Sequence, residues 1–123
     1  MIGVAALLGV SGAALAQDAA AGEIVFKKCK VCHQIGEGAH NMVGPVLNGV
    51  VGRPAGTYPG YNYSAANKGS GLTWDEPTLT VYLHNPQAKV PGTKMTFPGL
   101  ASEDDIKNVI AYLKTFDKDG KKM

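Results

Sequence analysis

A chain of 123 residues bounds the protein to one ordinary domain, with a core that buries about 60–70% of the unfolded surface. A formal charge of +2, from 12 basic and 10 acidic side chains, is too weak for a nucleic-acid footprint, and no basic run is interleaved with aromatics. Gly (16) and Pro (7) are abundant without repeats or low complexity, which points to short helices joined by long loops that need something to pack against.

Residues 1–16, MIGVAALLGVSGAALA, carry no charged side chain and end in Ala14-Leu15-Ala16, a small-x-small pattern. The segment is too short to span a bilayer and reads as a secretory signal cleaved after Ala16, although the usual positive flank is missing. The alternative is a retained apolar anchor helix. Cleavage leaves a mature domain of residues 17–123, exported to the periplasm, with the same net charge.

Asp18 is placed to cap a first helix over about residues 19–31, with Ala20, Ala21, Ile24 and Phe26 as its apolar face. Gly22 lies in its interior, where glycine costs about 0.5–1 kcal/mol against alanine; it marks either a close backbone contact or a tolerated weakness. Residues 34–72 hold nine glycines and three prolines and read as one long loop region. Asp75 is placed to cap a short helix over about 76–84, with Pro77 tolerated in its first turn and Asn85-Pro86 ending it. Residues 91–98 form another loop. Ser102-Glu103-Asp104-Asp105 then starts a helix over 103–116, where Ile106, Val109, Ile110 and Leu113 recur at i, i+3, i+4, i+7. The expected fold class is all-α with much loop, about three to five helices; no alternating strand pattern is present.

The chemistry sits at Cys29-Lys30-Val31-Cys32-His33, a C-x-x-C-H pattern of the kind that attaches haem c. Two thiols about one helical turn apart can add to two vinyl groups on one edge of the ring, and the next residue aims an imidazole at the iron. A disulfide is the other use of two cysteines in an exported chain. A thioredoxin-like motif wants a preceding strand, where a helix is expected here. A zinc site wants four ligands, and there is no second cysteine pair. With thiolate consumed, the iron's sixth ligand is to be sought among His40, Met42, His84 and Met95. His40 and Met42 follow His33 closely and fall on its own side. His84 ends a helix and reads as surface. Met95 stands in the stiff loop Pro91-Gly92-Thr93-Lys94-Met95 and is favoured. His/Met ligation fills both axial positions and raises the reduction potential, which suits outer-sphere electron transfer.

With these residues in hand, the chain resembles class I cytochromes c, and in particular the bacterial cytochrome c₂ subgroup related to mitochondrial cytochrome c. The matching stretches are Cys29–His33, Gly44-Pro45, Gly52-Arg53, Pro59 through Lys68, Trp74, Tyr82-Leu83, Pro91–Met95 and Ile110 through Lys114. The resemblance implies one covalent haem c and roles for individual residues. Pro45 would orient His33 through its carbonyl. Arg53, Tyr63 and Trp74 would hold the inner propionate. Asn67, Tyr82 and Thr93 would form a polar network beside the methionine; the alternative for Tyr82 is aromatic core at helical spacing. Gly22 and Phe26 would cross the last helix near Val109 and Tyr112. One departure stands out: mitochondrial relatives carry a lysine pair where this chain has Gln87-Ala88, so the lysine ring is thinner.

The function that follows is a soluble, monomeric periplasmic electron carrier, peripheral to the membrane and not an enzyme. The resemblance implies a cytochrome bc complex as donor and a photosynthetic reaction centre or a terminal oxidase as acceptor. Lys27, Lys28, Lys30, Lys89 and Lys94 are the docking candidates, each of which also reads as solvated surface. A peroxidase is the alternative from another class; it needs a labile sixth position and a distal acid–base group, for which His40 is a weak candidate. A gas-sensing haem module wants an output domain, which this length does not hold.

Overall fold

The computed structural model describes residues 18–123, and the signal segment expected over 1–16 lies outside them. Five helices follow in chain order: α1 (Ala19–Phe26), α2 (Ala65–Lys68), α3 (Glu76–His84), α4 (Pro86–Lys89) and α5 (Glu103–Leu113). Among the described residues there is no strand, only isolated bridges pairing Pro54 with Thr73 and Phe116 with Lys122.

Asp18 caps α1, accepting from the backbone N–H groups of Ala20 and Ala21 at 2.9 and 3.1 Å. The helix ends five residues before the expected 31. After Phe26 the amides of Lys27, Lys28 and Cys29 reach back only three residues, and these tight turns carry the chain to His33. Helix α5 likewise closes at Leu113 instead of 116, with Thr115 and Phe116 bonded three residues back. Ser102 caps it through Asp105 N–H at 3.2 Å.

Helices α1 and α5 cross at Gly22, where a Cβ would lie 1.9 Å from the carbonyl oxygen of Asn108 and 2.9 Å from Tyr112 Cβ. Asn108 also accepts from the Asp18 N–H at 2.9 Å, tying the start of one helix to the middle of the other. Phe26 packs on Tyr112 with ring centroids 5.3 Å apart. The close-contact reading of Gly22 is therefore the right one. The core continues from α5 (Ile106, Val109, Ile110, Leu113) to α3 (Leu79, Tyr82, Leu83) and Trp74.

The long segment 34–72, expected as loop throughout, contains the single turn α2; four residues are too few to show a period, and Ser64 supplies the cap to Asn67 N–H at 3.0 Å. Asn85 both ends α3 and caps the short α4 that follows, with Pro86 in its first turn. The segment 91–98 is irregular, as expected. Arg53 from the long loop lies close enough to act on His33, and Cys29 and Met95 both pack against the core cluster.

Candidate functional site

Cys29, Cys32 and His33 leave the turned segment after α1, and the two half-buried cysteines are not joined to each other. Burial pushes the Cys29 thiol up to about 11, opposed by the charge of Lys28. His33 Nδ1 stands 2.8 Å from the carbonyl oxygen of Pro45. A carbonyl only accepts, so Nδ1 carries the proton and Nε2 keeps its lone pair for a metal. Burial holds the His33 pKa below its ordinary value, against the opposing Pro45 hydrogen bond, which keeps the imidazole neutral. Gly44 explains how the loop comes so close: a Cβ there would lie 2.4–2.8 Å from the imidazole atoms.

Across the site stands Met95, half-buried, with its sulfur accepting from the Tyr82 hydroxyl at 3.3 Å. Tyr82 also stands 3.4 Å from Thr93 Oγ1, and Thr93 Oγ1 accepts from Met95 N–H at 3.3 Å. Burial raises the Tyr82 phenol pKa, so it stays protonated and able to donate. Its ring is also core, packed at 4.7 Å on Trp74. The two readings of Tyr82 thus hold together: ring in the core, hydroxyl in the site.

At the third side, Arg53 donates to the carbonyls of Asn48 at 2.9 Å and Val46 at 3.3 Å, and its guanidinium sits 5.1 Å from the Tyr58 ring centroid. These partners accept hydrogen bonds without supplying negative charge. Its Nε is buried without a partner, and so is Oδ1 of Asn67. Tyr63 accepts the Tyr58 N–H through its hydroxyl oxygen at 3.0 Å, leaving its own hydrogen to donate. Trp74 is buried beside them. Orphaned buried polar atoms are costly in a finished protein. A haem fits these residues: a propionate matches the spare Arg53 donor, the neutral His33 Nε2 matches iron, and the two thiols match the vinyl edge.

The other ligand candidates are placed elsewhere. Met42 is exposed and its sulfur accepts from Gln34 Nε2 at 3.0 Å. His40 is exposed in the same loop, its N–H bonded to Gln34 Oε1. His84 is exposed, with Nδ1 donating to the Leu100 carbonyl at 3.2 Å. Of the lysines, Lys27, Lys28 and Lys30 are exposed around Cys29, and Lys89 is half-buried at the end of α4. Lys94 is exposed but engaged: Nζ donates to the Asn62 carbonyl at 2.5 Å and lies 5.4 Å from the Tyr61 ring centroid.

Several supporting residues were absent from the sequence-based set. Asn48, buried, both donates to the Gly36 carbonyl and accepts the Gly36 N–H. Asn41 links Val46 N–H to the Pro59 carbonyl, and the Tyr61 hydroxyl donates to the Val43 carbonyl. Gln87 donates to the carbonyls of Thr93 and Met95. Polar residues in loops, or in a helix as short as α4, carry no period, so no single-sequence signal marks them.

A helical shell around a C-x-x-C-H attachment motif, a neutral histidine and a half-buried arginine lacking a counter-charge defines a c-type cytochrome. The comparisons agree: the family model for cytochrome c matches residues 19–117. The chain belongs to the cytochrome c family and carries one covalent haem c through Cys29 and Cys32, as an electron carrier and not an enzyme. It is 60% identical over 107 residues to cytochrome c2 of Rhodoblastus acidophilus, covering 87% of this chain and 100% of that one. It is 57% identical over 109 residues to cytochrome c2 of Blastochloris viridis, covering 89% and 86%. Among solved structures it is similar to cytochrome c2 from Rhodospirillum Centenum, with a TM-score of 0.78, 44% identity and coverage of 81% and 98%. Cytochrome cH from Methylobacterium extorquens gives a TM-score of 0.75 at 52% identity, covering 80% and 98%.

Proposed function

We propose that this chain is a soluble periplasmic shuttle whose haem iron is held between His33 Nε2 and Met95 Sδ. The observation that carries the reading is the pairing of a fixed, neutral His33 tautomer with a Met95 sulfur already oriented by Tyr82. When bound, the haem supplies a one-electron couple; the protein's part is to keep that couple six-coordinate and shielded. Pro45 fixes the imidazole from behind. Arg53, Tyr63 and Trp74 hold the inner propionate, whose charge would otherwise be buried unpaired. Tyr82, Thr93 and Asn67 form the polar wall beside the methionine and tune how much density the sulfur donates.

The partners in this reading are a cytochrome bc complex as donor and a photosynthetic reaction centre or terminal oxidase as acceptor, met through the lysines around Cys29. Support comes from the cytochrome c2 and c-550 names of the relatives and from the exposure of Lys27, Lys28 and Lys30. No helix among the described residues is long and apolar enough to cross a membrane.

Met95→Ala tests the ligand set. The variant is expected to lose the weak far-red band of the oxidised form, to fall in potential, and to bind cyanide when oxidised. A variant that keeps its parent's band and potential removes Met95 from the reading and makes His84 the next candidate.

A further inference from the structure

We propose that Gln87 is a positioning residue for the sixth ligand: its side-chain amide fastens the Met95 turn to α4 and sets how readily the methionine leaves the iron. This rests on the His33/Met95 reading above and extends it to a residue outside the haem contacts. Nε2 of Gln87 donates to the Met95 carbonyl at 3.0 Å and to the Thr93 carbonyl at 3.3 Å. A primary amide has two hydrogens, so both bonds form at once. They grip the chain on both sides of Lys94, at the residue that carries the sulfur and at the one whose hydroxyl bonds to Met95 N–H.

The anchor is itself fixed. Gln87 is in the first turn of α4, which Asn85 caps, with Pro86 buried beneath it. The turn is otherwise held at its start, where Thr93 N–H donates to the Val90 carbonyl at 3.0 Å, and by the Tyr82 hydroxyl; among the described residues only the Gln87 amide bonds to the carbonyl of Met95. On its distal side the chain returns to α3 at Gly99, packed against the His84 carbonyl, and at Leu100, whose N–H donates to the Leu83 carbonyl. On its outer side Lys94 is tied to Asn62. Release of Met95 requires the 93–95 backbone to swing outward, and the amide opposes that swing without touching the sulfur. The residue read from the sequence only as a missing lysine thus has a task of its own.

The test uses the oxidised holoprotein and imidazole as the probe, since imidazole enters only as methionine departs. Gln87→Met keeps length and removes both hydrogens; Gln87→Glu keeps shape and faces the carbonyls with an acceptor. Imidazole affinity is expected to rise about three- to tenfold in Gln87→Met and further in Gln87→Glu, with the far-red band retained without imidazole. Gln87→Lys returns hydrogens to the same carbonyls and is expected to restore parental affinity. If the parent shows the band and the Met and Glu variants bind imidazole as the parent does, the amide does not hold the turn. A lysine variant as loose as the methionine one assigns the effect to bulk and overturns the proposal equally. A parent without the band overturns the ligand reading, and this inference with it.

Discussion

The α1–α5 crossing and the loop wall facing it are held together by different physics. At the crossing, side chains are apolar or absent: Gly22 lets two backbones touch, and Phe26, Val109, Ile110 and Tyr112 fill the space around them. The loop wall instead uses side-chain amides, hydroxyls and a guanidinium that grip carbonyls from Val43 to Met95. The crossing is finished by the chain alone. The wall is not, because Arg53 Nε is left buried without a partner, a donor from which a haem propionate would accept. Stability therefore has two sources in one small domain, and each can be attacked separately.

The largest effect is expected at the crossing. In Gly22→Ala the new methyl meets backbone atoms of Asn108 at 1.9 and 2.5 Å, which no side-chain rotation relieves. The helices must separate, at a cost of about 3 kcal/mol or more. Denaturant unfolding of the holoprotein should show a lowered midpoint, while the far-red band at zero denaturant stays in place. A variant whose band disappears along with its stability would join the two regions into one unit.

Next is the loop wall. Asn48→Ala strips partners from both the N–H and the carbonyl of Gly36, and removes the neighbour against which Gly120 packs. Two ordinary hydrogen bonds suggest a loss of about 1–3 kcal/mol. Here the spectrum should respond as well, because the same loop carries Pro45 behind His33. An unchanged potential with lowered stability would show that the Pro45 contact holds without this clamp.

These two regions also differ in how well the sequence announced them. Helix α5 was readable because four apolar residues repeat on one face, and α1 and α3 because aspartates cap them; α3 keeps its expected bounds, while α1 and α5 end early, where hydrogen bonding tightens from four residues to three. The attachment motif was readable because thioether chemistry demands two cysteines and a histidine at fixed spacing. Met95 was selected by the stiffness of its loop, which the structure explains through Thr93, Tyr82 and Gln87. What stayed hidden was the set of polar clamps: Asn41, Asn48, Tyr61 and Gln87 are joined to partners by the tertiary fold, with sequence separations that follow no local rule. The tie of Lys94 to Asn62 stayed hidden for the same reason, since it spans 32 residues.

A smaller effect on stability is expected from the wall's contact with the cofactor. Arg53→Lys keeps the charge and loses the planar fork that serves two carbonyls while leaving Nε over. With Arg53 facing the inner propionate as proposed above, loss of that pre-organised donor would leave the propionate less well compensated, so the oxidised form would gain relative to the reduced one and the potential should fall. Redox titration checks this. A potential equal to the parent's would show that charge alone, without directed hydrogen bonds, satisfies the site.

The smallest effect separates two kinds of lysine. Lys28 and Lys30 project from the turns beside Cys29 at the end of the helical region, exposed. Lys94 has the same charge but is bonded to Asn62 and laid over Tyr61, as part of the wall. Reversal of the first pair should change only how fast an acidic partner arrives. Steered association gains roughly 10–10³ in rate and falls with salt. With a net charge of +2 and no lysine pair at Gln87-Ala88, the gain belongs near the low end. In Lys28→Glu plus Lys30→Glu, the second-order electron-transfer rate should drop about tenfold at low salt and converge on the parent's as salt is raised, with band and potential unchanged. Lys94→Glu should instead disturb the far-red band, because it cuts a tether of the ligand turn as well as removing a charge. Rates that are flat with salt for parent and double variant alike would make docking apolar, and an unaltered band in Lys94→Glu would return that lysine to the solvated surface.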